Sequence, residues 1–258
     1  MNGEVQLLGM VLSAMPVGEF DKRLVILTKD RGKLSAFARG SRKPNSPLLA
    51  CSQPFTFGNF TLYEGRNSYN VKSGEIIRYF EEIQENWDVV CYASYLAEYA
   101  DYYTRENVEA GEILKLLYVA LQALVKGVLD KEMIRYIYEL RMYACNGEAF
   151  NLFSCVKCAG VQSEENWKPM LHMRKGGLLC PECMEKCRKS EPAFEPPRLL
   201  GEGVLYAMRY IMTSPLEKLF AFTLKEPSMG EFVSIMEGYR KIYVQHNFHS
   251  LDNLLPVF

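Results

Sequence analysis

Residues 23–39 have the sequence RLVILTKDRGKLSAFAR, which contains two runs of strand-forming residues around a turn. The runs Arg23–Thr28 and Lys33–Arg39 are rich in Val, Ile, Leu, Phe and Thr, which favour β-structure. The intervening Asp30-Arg31-Gly32 is typical of a tight turn. The stretch therefore predicts two consecutive short strands.

Similar runs on both sides extend this pattern over the first 80 residues. They are Val5–Ala14, Phe55–Tyr63 and Ser68–Ser73, separated by turn-forming Pro, Gly, Asp and Asn. Five short strands with a longer connection between the third and fourth indicate a small barrel. The five-stranded OB fold is the favoured architecture, and an SH3-like barrel is the alternative that the pattern leaves open.

After Trp87 the apolar residues recur at helical spacing. Three helices are predicted around Val89–Ala100, Ile113–Leu124 and Ile134–Arg141, with Asp130 as the cap of the third. Later helices are predicted at Gly203–Met212, Leu216–Phe222 and Met229–Gln245, the last with Ser228 and Glu231 at capping-box spacing. Between the two helical parts, residues 150–190 lose this periodicity. The segment is therefore predicted to be an insertion in a helical domain.

Two Cys-x-x-Cys pairs dominate this insertion. They are Cys155 with Cys158 and Cys180 with Cys183, and 21 residues separate the pairs. Four thiolates provide the tetrahedral ligand set that Zn²⁺ prefers, and such a site leaves no position for a reactive water. The spacing predicts a zinc ribbon with one structural Zn²⁺ ion.

Other interpretations of the cysteines stay open. The two pairs could instead be redox-active thiols or a site that has lost its metal, and Cys187 or His172 could replace one ligand. The three remaining cysteines, Cys51, Cys91 and Cys145, have apolar neighbours and are predicted to be buried thiols.

Charge is distributed unevenly along the chain. Residues 1–80 carry 11 Lys and Arg against 6 Asp and Glu, whereas residues 81–258 carry 19 against 25. A basic barrel indicates a polyanionic ligand. The candidate DNA-binding residues are Lys22, Arg23, Arg31, Lys33, Arg39, Arg42 and Lys43. The loop Arg39–Pro44 is the best candidate for phosphate contact, whereas most of the nearby aromatic residues are expected in the barrel core.

Several classes of protein are disfavoured by the sequence. The phosphate-binding, nucleophile-elbow, zinc-protease and dinucleotide motifs are all absent, so no catalytic residue is predicted and the chain is interpreted as a non-enzyme. No apolar run approaches the length of a membrane span, and the first residues do not resemble a signal peptide. A cytoplasmic protein is expected.

The order of these modules resembles the RecO family of bacterial recombination and DNA-repair proteins. The resemblance covers nearly the whole chain and is most specific in the N-terminal sequence. The matching segments are Val11-Leu12, Gly18-Glu19, Leu27-Thr28, Gly32–Pro44 and Gln53-Pro54-Phe55. The family commonly has an arginine and a tyrosine before the Gly-Glu pair, where this chain has Met15 and Val17. A DNA contact at those two positions is therefore not implied.

The resemblance implies an α+β, multidomain protein with an N-terminal OB-fold barrel, an α-helical domain and an inserted four-cysteine zinc ribbon. The expected boundaries are 1–80 for the barrel, 81–149 and 191–258 for the two helical parts, and 150–190 for the ribbon. It further implies a recombination mediator of the RecF pathway that binds single- and double-stranded DNA and anneals complementary strands. With RecR as partner, such a protein loads RecA onto DNA covered by single-stranded-DNA-binding protein, whose C-terminal tail it binds. Nucleoid association is expected, and the alternative function is a protein-interaction adaptor with incidental DNA binding.

Overall fold

The computed structural model describes residues 3–66, 68–252 and 254. The chain forms two compact units, which are described separately. Unit 1 comprises residues 1–138 and 247–258, and unit 2 comprises residues 139–246. The four-segment division expected from the sequence is finer than this one and stays a prediction.

A closed barrel of five strands forms the N-terminal part of unit 1. The strands are β1 (Glu4–Val17), β2 (Asp21–Thr28), β3 (Gly32–Ala38), β4 (Phe57–Glu64) and β5 (Tyr69–Arg78). Their order around the barrel is β1-β2-β3-β5-β4, and only the β3–β5 pair is parallel. This topology confirms the OB fold and excludes the SH3-like alternative.

The barrel interior follows from the alternation of side chains along β2 and β3. Leu24, Ile26, Leu34 and Ala36 are almost completely buried and belong to one apolar cluster. Because successive side chains point to opposite faces of a strand, their neighbours along the chain, Arg23 among them, lie on the outer surface. The barrel thus presents Arg23 of β2 outside and apolar residues inside.

Two glycines in the barrel turns have positive φ but different surroundings. A Cβ at Gly32 (φ +61°) would lie 2.0 Å from the Arg105 carbonyl oxygen and 2.5 Å from that of Val108. A Cβ at Gly18 (φ +59°) would meet nothing within 4 Å. Gly32 therefore has both a conformational and a packing requirement, whereas Gly18 has only the first.

We expect Gly32→Ala to lower the free energy of unfolding by about 3 kcal/mol or more, and Gly18→Ala by only about 1 kcal/mol. Both variants incur the cost of a left-handed alanine, but only Gly32→Ala forces a clash with backbone atoms. Urea titration of the two variants and the wild type provides the measurement. Equal losses at both positions would contradict the close approach of the Arg105 and Val108 carbonyl oxygens to Gly32.

The helices of unit 1 have well-defined ends. Helix α1 (Trp87–Tyr103) begins after Asn86, whose side-chain oxygen accepts hydrogen bonds from the first-turn N–H groups, and α2 (Gly111–Lys126) ends at the left-handed Gly127. Helix α3 (Lys131–Cys145) is capped by Asp130, as predicted, since its carboxylate accepts the N–H of Glu132 at 2.8 Å. The chain passes from unit 1 into unit 2 within α3.

Two of the tyrosines of α1 pack inside unit 1. Tyr95 and Tyr99 are fully buried, and both contact Phe248, which precedes a one-turn helix (His249–Asp252). The ring centroids of Tyr99 and Phe248 lie 4.8 Å apart. The carboxylate of Glu98 accepts N–H hydrogen bonds from His249 and Ser250. A segment far along the chain therefore completes the core around α1.

Unit 2 contains a small sheet and three further helices. The sheet has the order β6-β8-β7-β9, and its strands are β6 (Asn151–Cys155), β7 (Met170–His172), β8 (Gly177–Leu179) and β9 (Arg198–Leu199). The helices are α4 (Pro181–Ser190), α5 (Glu202–Thr213) and α6 (Ser228–Tyr243). β7 and β8 pair antiparallel, with the short 3₁₀ turn Met173–Lys175 between them.

Two helical details of unit 2 differ from expectation. The helix predicted at Leu216–Phe222 is only a short 3₁₀ turn, Leu216–Lys218. The expected capping box does not form, because Pro227 occupies the cap position and the Glu231 carboxylate accepts the N–H of Gly201 instead. The Glu231 carboxylate therefore makes a tertiary hydrogen bond in place of the local capping bond.

None of the helices in the described part of the chain combines the length and apolar character that a membrane span requires.

Candidate metal centre and nucleic-acid interface

The four cysteines predicted to hold a metal come together in unit 2. The Sγ atoms of Cys155, Cys158, Cys180 and Cys183 all lie within 4.8 Å of one another. Cys155 ends β6 and Cys158 follows in a turn, whereas Cys180 directly precedes α4 and Cys183 lies in its first turn. Two separate elements therefore deliver one pair each.

The geometry of this cluster fits a tetrahedral ion. Zinc–sulfur bonds of roughly 2.3 Å in a tetrahedron place the sulfur atoms about 3.8 Å apart. The Cys158 and Cys180 sulfurs are 3.7 Å apart. The backbone N–H of Cys180 also donates to the Cys155 sulfur at 3.4 Å, which stabilises a thiolate there. The donor set thus fits a four-thiolate metal site.

The pKa values show how the four thiols influence one another. Burial raises the pKa of Cys155, but backbone N–H groups, including those of Cys180 and Cys158, more than offset this and bring it down to about 6. Burial and the neighbouring sulfurs raise the pKa of Cys183 to about 12. Sulfurs this close repel as thiolates, so a divalent cation is the group that would let all four ionise together.

The two substitute ligands considered from the sequence lie outside the cluster. Cys187 is buried on α4, one turn beyond Cys183, and does not join the four-sulfur group. His172 is buried with its ring 5.0 Å from that of Phe194, and neither ring nitrogen has a hydrogen-bond partner among the described residues. The other predicted thiols, Cys51 and Cys91, are buried, but Cys145 is only half-buried.

The seven candidate DNA-binding residues all lie on or beside β2 and β3, but two of them are ion-paired. Arg31 contacts the Glu64 carboxylate at 3.3 Å and the Tyr69 hydroxyl at 3.0 Å, and these partners raise the pKa of its guanidinium. Lys33 contacts the Asp101 carboxylate at 2.9 Å. Their charge is therefore partly compensated within unit 1.

The other five cations have no carboxylate partner in the described part of the chain. They are Lys22, Arg23, Arg39, Arg42 and Lys43. Arg23 and Arg39 donate to neutral groups, the hydroxyl of Ser35 at 2.9 Å and the amide oxygen of Asn70 at 3.1 Å. Burial and the nearby charge of Arg42 lower the pKa of Lys22. An anion bound here would relieve repulsion between like charges.

A set of hydrogen bonds fastens the β3–β4 loop to the β1–β2 turn. The N–H of Gly40 donates to the Asp21 carboxylate at 2.7 Å, and the N–H of Arg42 donates to the Phe20 carbonyl at 2.9 Å. The Arg42 side chain also reaches the Gly18 carbonyl at 3.3 Å. The exposed cations of the loop are therefore held at a defined place beside the turn.

The aromatic residues of the barrel are less buried than predicted. The buried ones are Phe55, Phe60 and Tyr69, whereas Phe37 and Phe57 are only half-buried. Phe20 and Tyr63 are each more than one-third exposed, and each has an ammonium group near its ring, Lys43 at 5.4 Å and Lys72 at 5.5 Å. Sequence reasoning did not single out Phe20. The signal was available, since an aromatic residue in the polar turn Gly18–Asp21 has no strand position from which to enter the core.

Comparison with known families matches nearly the whole chain. A family model described as "Recombination protein O N terminal" matches residues 1–80, which span the barrel. A second, described as "Recombination protein O C terminal", matches residues 84–252.

Individual relatives agree with these matches. A protein named "DNA repair protein RecO" from Acetivibrio thermocellus is 29% identical over 95% of this chain and 93% of its own length. The protein of the same name from Bacillus pumilus is 32% identical over 91% of this chain and 87% of its own. That from Alkaliphilus metalliredigens is 35% identical over 68% and 70%, respectively.

Proposed function

Since this chain belongs to the RecO family of DNA repair proteins, we propose that it is a recombination mediator that binds DNA through its barrel. It binds single- and double-stranded DNA and anneals complementary strands. Together with RecR it helps load RecA onto single strands covered by single-stranded-DNA-binding protein, and it contacts the C-terminal tail of that protein.

One observation carries the DNA-binding part of this proposal. Five cations on one part of the barrel have no carboxylate partner among the described residues, and the loop that carries three of them is fastened in place. Strands 2 and 3 and the adjoining turns are also where OB folds bind oligonucleotides. Lys22, Arg23, Arg39, Arg42 and Lys43 are proposed as the main phosphate contacts, and the ion-paired Arg31 and Lys33 as weaker ones.

Fluorescence anisotropy with a labelled single-stranded oligonucleotide across a salt series tests the proposal. Phosphate contacts release counterions, so affinity should fall steeply as salt rises. Undetectable binding at low salt, or binding that does not change with salt, would overturn it.

Annealing requires no catalytic residue in this scheme. Cations that neutralise the phosphates of two strands lower the repulsion between them, so complementary bases pair without nucleotide hydrolysis. We therefore propose a non-enzymatic protein that acts in the cytoplasm, in association with the nucleoid. A fluorescence-quenching assay with complementary oligonucleotides, in the absence of any nucleotide, measures this activity directly.

A structural zinc ion is proposed at the four-cysteine cluster. Cys155, Cys158, Cys180 and Cys183 would hold it, and the ion would supply a cross-link between β6 and the start of α4 rather than a reactive water. The ribbon is thus assigned a structural role.

The alternative function is a protein-interaction adaptor with incidental DNA contact. The observation on which it rests is that unit 2 exposes the apolar side chains of Phe153, Val161 and Tyr206, which are available for contact with a protein. Binding of a peptide with the sequence of the single-stranded-DNA-binding protein's tail, in a protein that binds no oligonucleotide, would support the adaptor over the mediator.

A further inference from the structure

The turn between β1 and β2 places an aromatic ring among cations. Phe20 is 38% exposed, and the Lys43 ammonium lies 5.4 Å from the centre of its ring. Arg42 contacts the same turn through its backbone and its side chain. An exposed aromatic ring costs free energy in water.

We propose that Phe20 is a base-stacking residue for single-stranded DNA, with Arg42 and Lys43 holding the adjacent phosphates. This inference rests on the proposed DNA-binding function of the barrel and goes beyond it by assigning a residue that contacts the base. A flat exposed ring beside cations matches the alternation of base and phosphate along a nucleic-acid strand. The Lys43 ammonium lies near the ring, and the exposed part of the Phe20 side chain is the part proposed to contact a base.

The surrounding surface suits a base and its sugar. Met15 and Val17 lie on the same side of β1, since strand positions two apart share a face, and they are 65% and 40% exposed. Arg23 pairs with Met15 across the β1–β2 ladder, so a cation directly borders this apolar surface. Apolar contact and phosphate contact are thus available side by side.

Phe20→Ala isolates the role of the ring. The hydrogen bond from Arg42 to residue 20 uses the backbone carbonyl, so the variant retains the fastened loop, and no charge is removed. Affinity for a single-stranded oligonucleotide should fall about 5- to 150-fold, since base stacking contributes roughly 1–3 kcal/mol. The dependence on salt should not change, because the phosphate contacts remain.

An oligonucleotide with abasic positions provides the sharper comparison. It carries the same phosphates without bases, so wild-type protein should bind it more weakly than the normal strand, and Phe20→Ala should lose this preference. Phe20→Trp should restore it. Ile77→Ala, which truncates an exposed apolar residue of β5, is the matched control and should behave as wild type.

The outcomes separate this inference from the proposed function. If wild-type protein binds DNA with the expected salt dependence but Phe20→Ala binds equally well, the stacking role is wrong and the barrel interface stands. Equal affinity of the wild-type protein for normal and abasic strands would likewise overturn the stacking role and leave the barrel interface in place. If wild-type protein binds neither strand, the proposed function itself fails.

Discussion

Affinity for a single-stranded oligonucleotide is expected to fall by up to about 100-fold at 0.1 M salt when Arg39, Arg42 and Lys43 are all replaced by alanine. None of the three has a carboxylate partner in the described structure, so each charge is available to a phosphate. Loss of three contacts to a single strand should also reduce the slope of log affinity against log salt by about 2. Anisotropy titrations at several salt concentrations measure both effects.

The matched control removes the same amount of charge elsewhere. Lys186, Arg188 and Lys189 lie on α4 in unit 2 and are exposed, but each is paired with Glu182 or Glu185. Their triple alanine variant should keep nearly the wild-type affinity and slope. If both triple variants lose affinity equally, the affinity for DNA depends only on the net charge of the protein, and the assignment of the barrel loop is wrong.

Replacing Cys155 by serine is expected to abolish stable metal binding in unit 2. The Cys155 sulfur is almost fully buried within the four-sulfur group, and a serine hydroxyl is a poor replacement for a thiolate ligand of zinc. Purified wild-type protein should carry one equivalent of zinc, and the variant should carry little. Because metal binding at such sites is coupled to local folding, residues 150–190 should also become sensitive to protease.

Cys187→Ser is the control for this experiment. Cys187 is buried on the same helix as Cys183, one turn further along, but lies outside the cluster. The variant should retain its zinc. If it loses the metal while Cys155→Ser retains it, the ligand set is wrong. Wild-type protein with less than about half an equivalent of zinc and free thiols throughout would contradict the site.

The barrel was predictable because its determinants are local. Strand-forming runs and turn residues specify five strands, and the side-chain alternation of β2 and β3 separates Leu24 and Ile26 from Arg23. The strand lengths were not predictable. β5 continues to Arg78, beyond the predicted end at Ser73, because Gly74–Ile76 pair with β4 in backbone hydrogen bonds that leave no apolar pattern.

Helix α4 shows a different limit of prediction from the sequence. Half of its residues are charged and two are cysteines, so it has no apolar period. Pro181 at its start, Glu182 in the first turn and Arg188 in the last nevertheless suit a helix. Conversely, the capping box expected at Ser228 and Glu231 was wrong because Glu231 binds the distant Gly201. Local spacing predicts such contacts only when no tertiary partner competes for the side chain.

For the candidate sites, too, local features could be predicted from the sequence and long-range contacts could not. The spacing of the cysteines identified the cluster, since the turn that holds each pair is local. Whether a barrel cation is paired with a carboxylate depends on residues far away in sequence. Lys33 pairs with Asp101 and Arg31 with Glu64, and no pattern near either cation indicates these partners.

The return of the chain from unit 2 to unit 1 has a consequence for protein synthesis. The ribosome makes the barrel, α1 and α2 first, but Phe248, which fills the space beside Tyr95 and Tyr99, is translated only after all of unit 2. At about 5–20 residues per second, the 109 residues between Tyr138 and Phe248 take about 5–20 s to translate. During that interval the nascent chain carries an incomplete aromatic core, and its final closure is a late event of biogenesis.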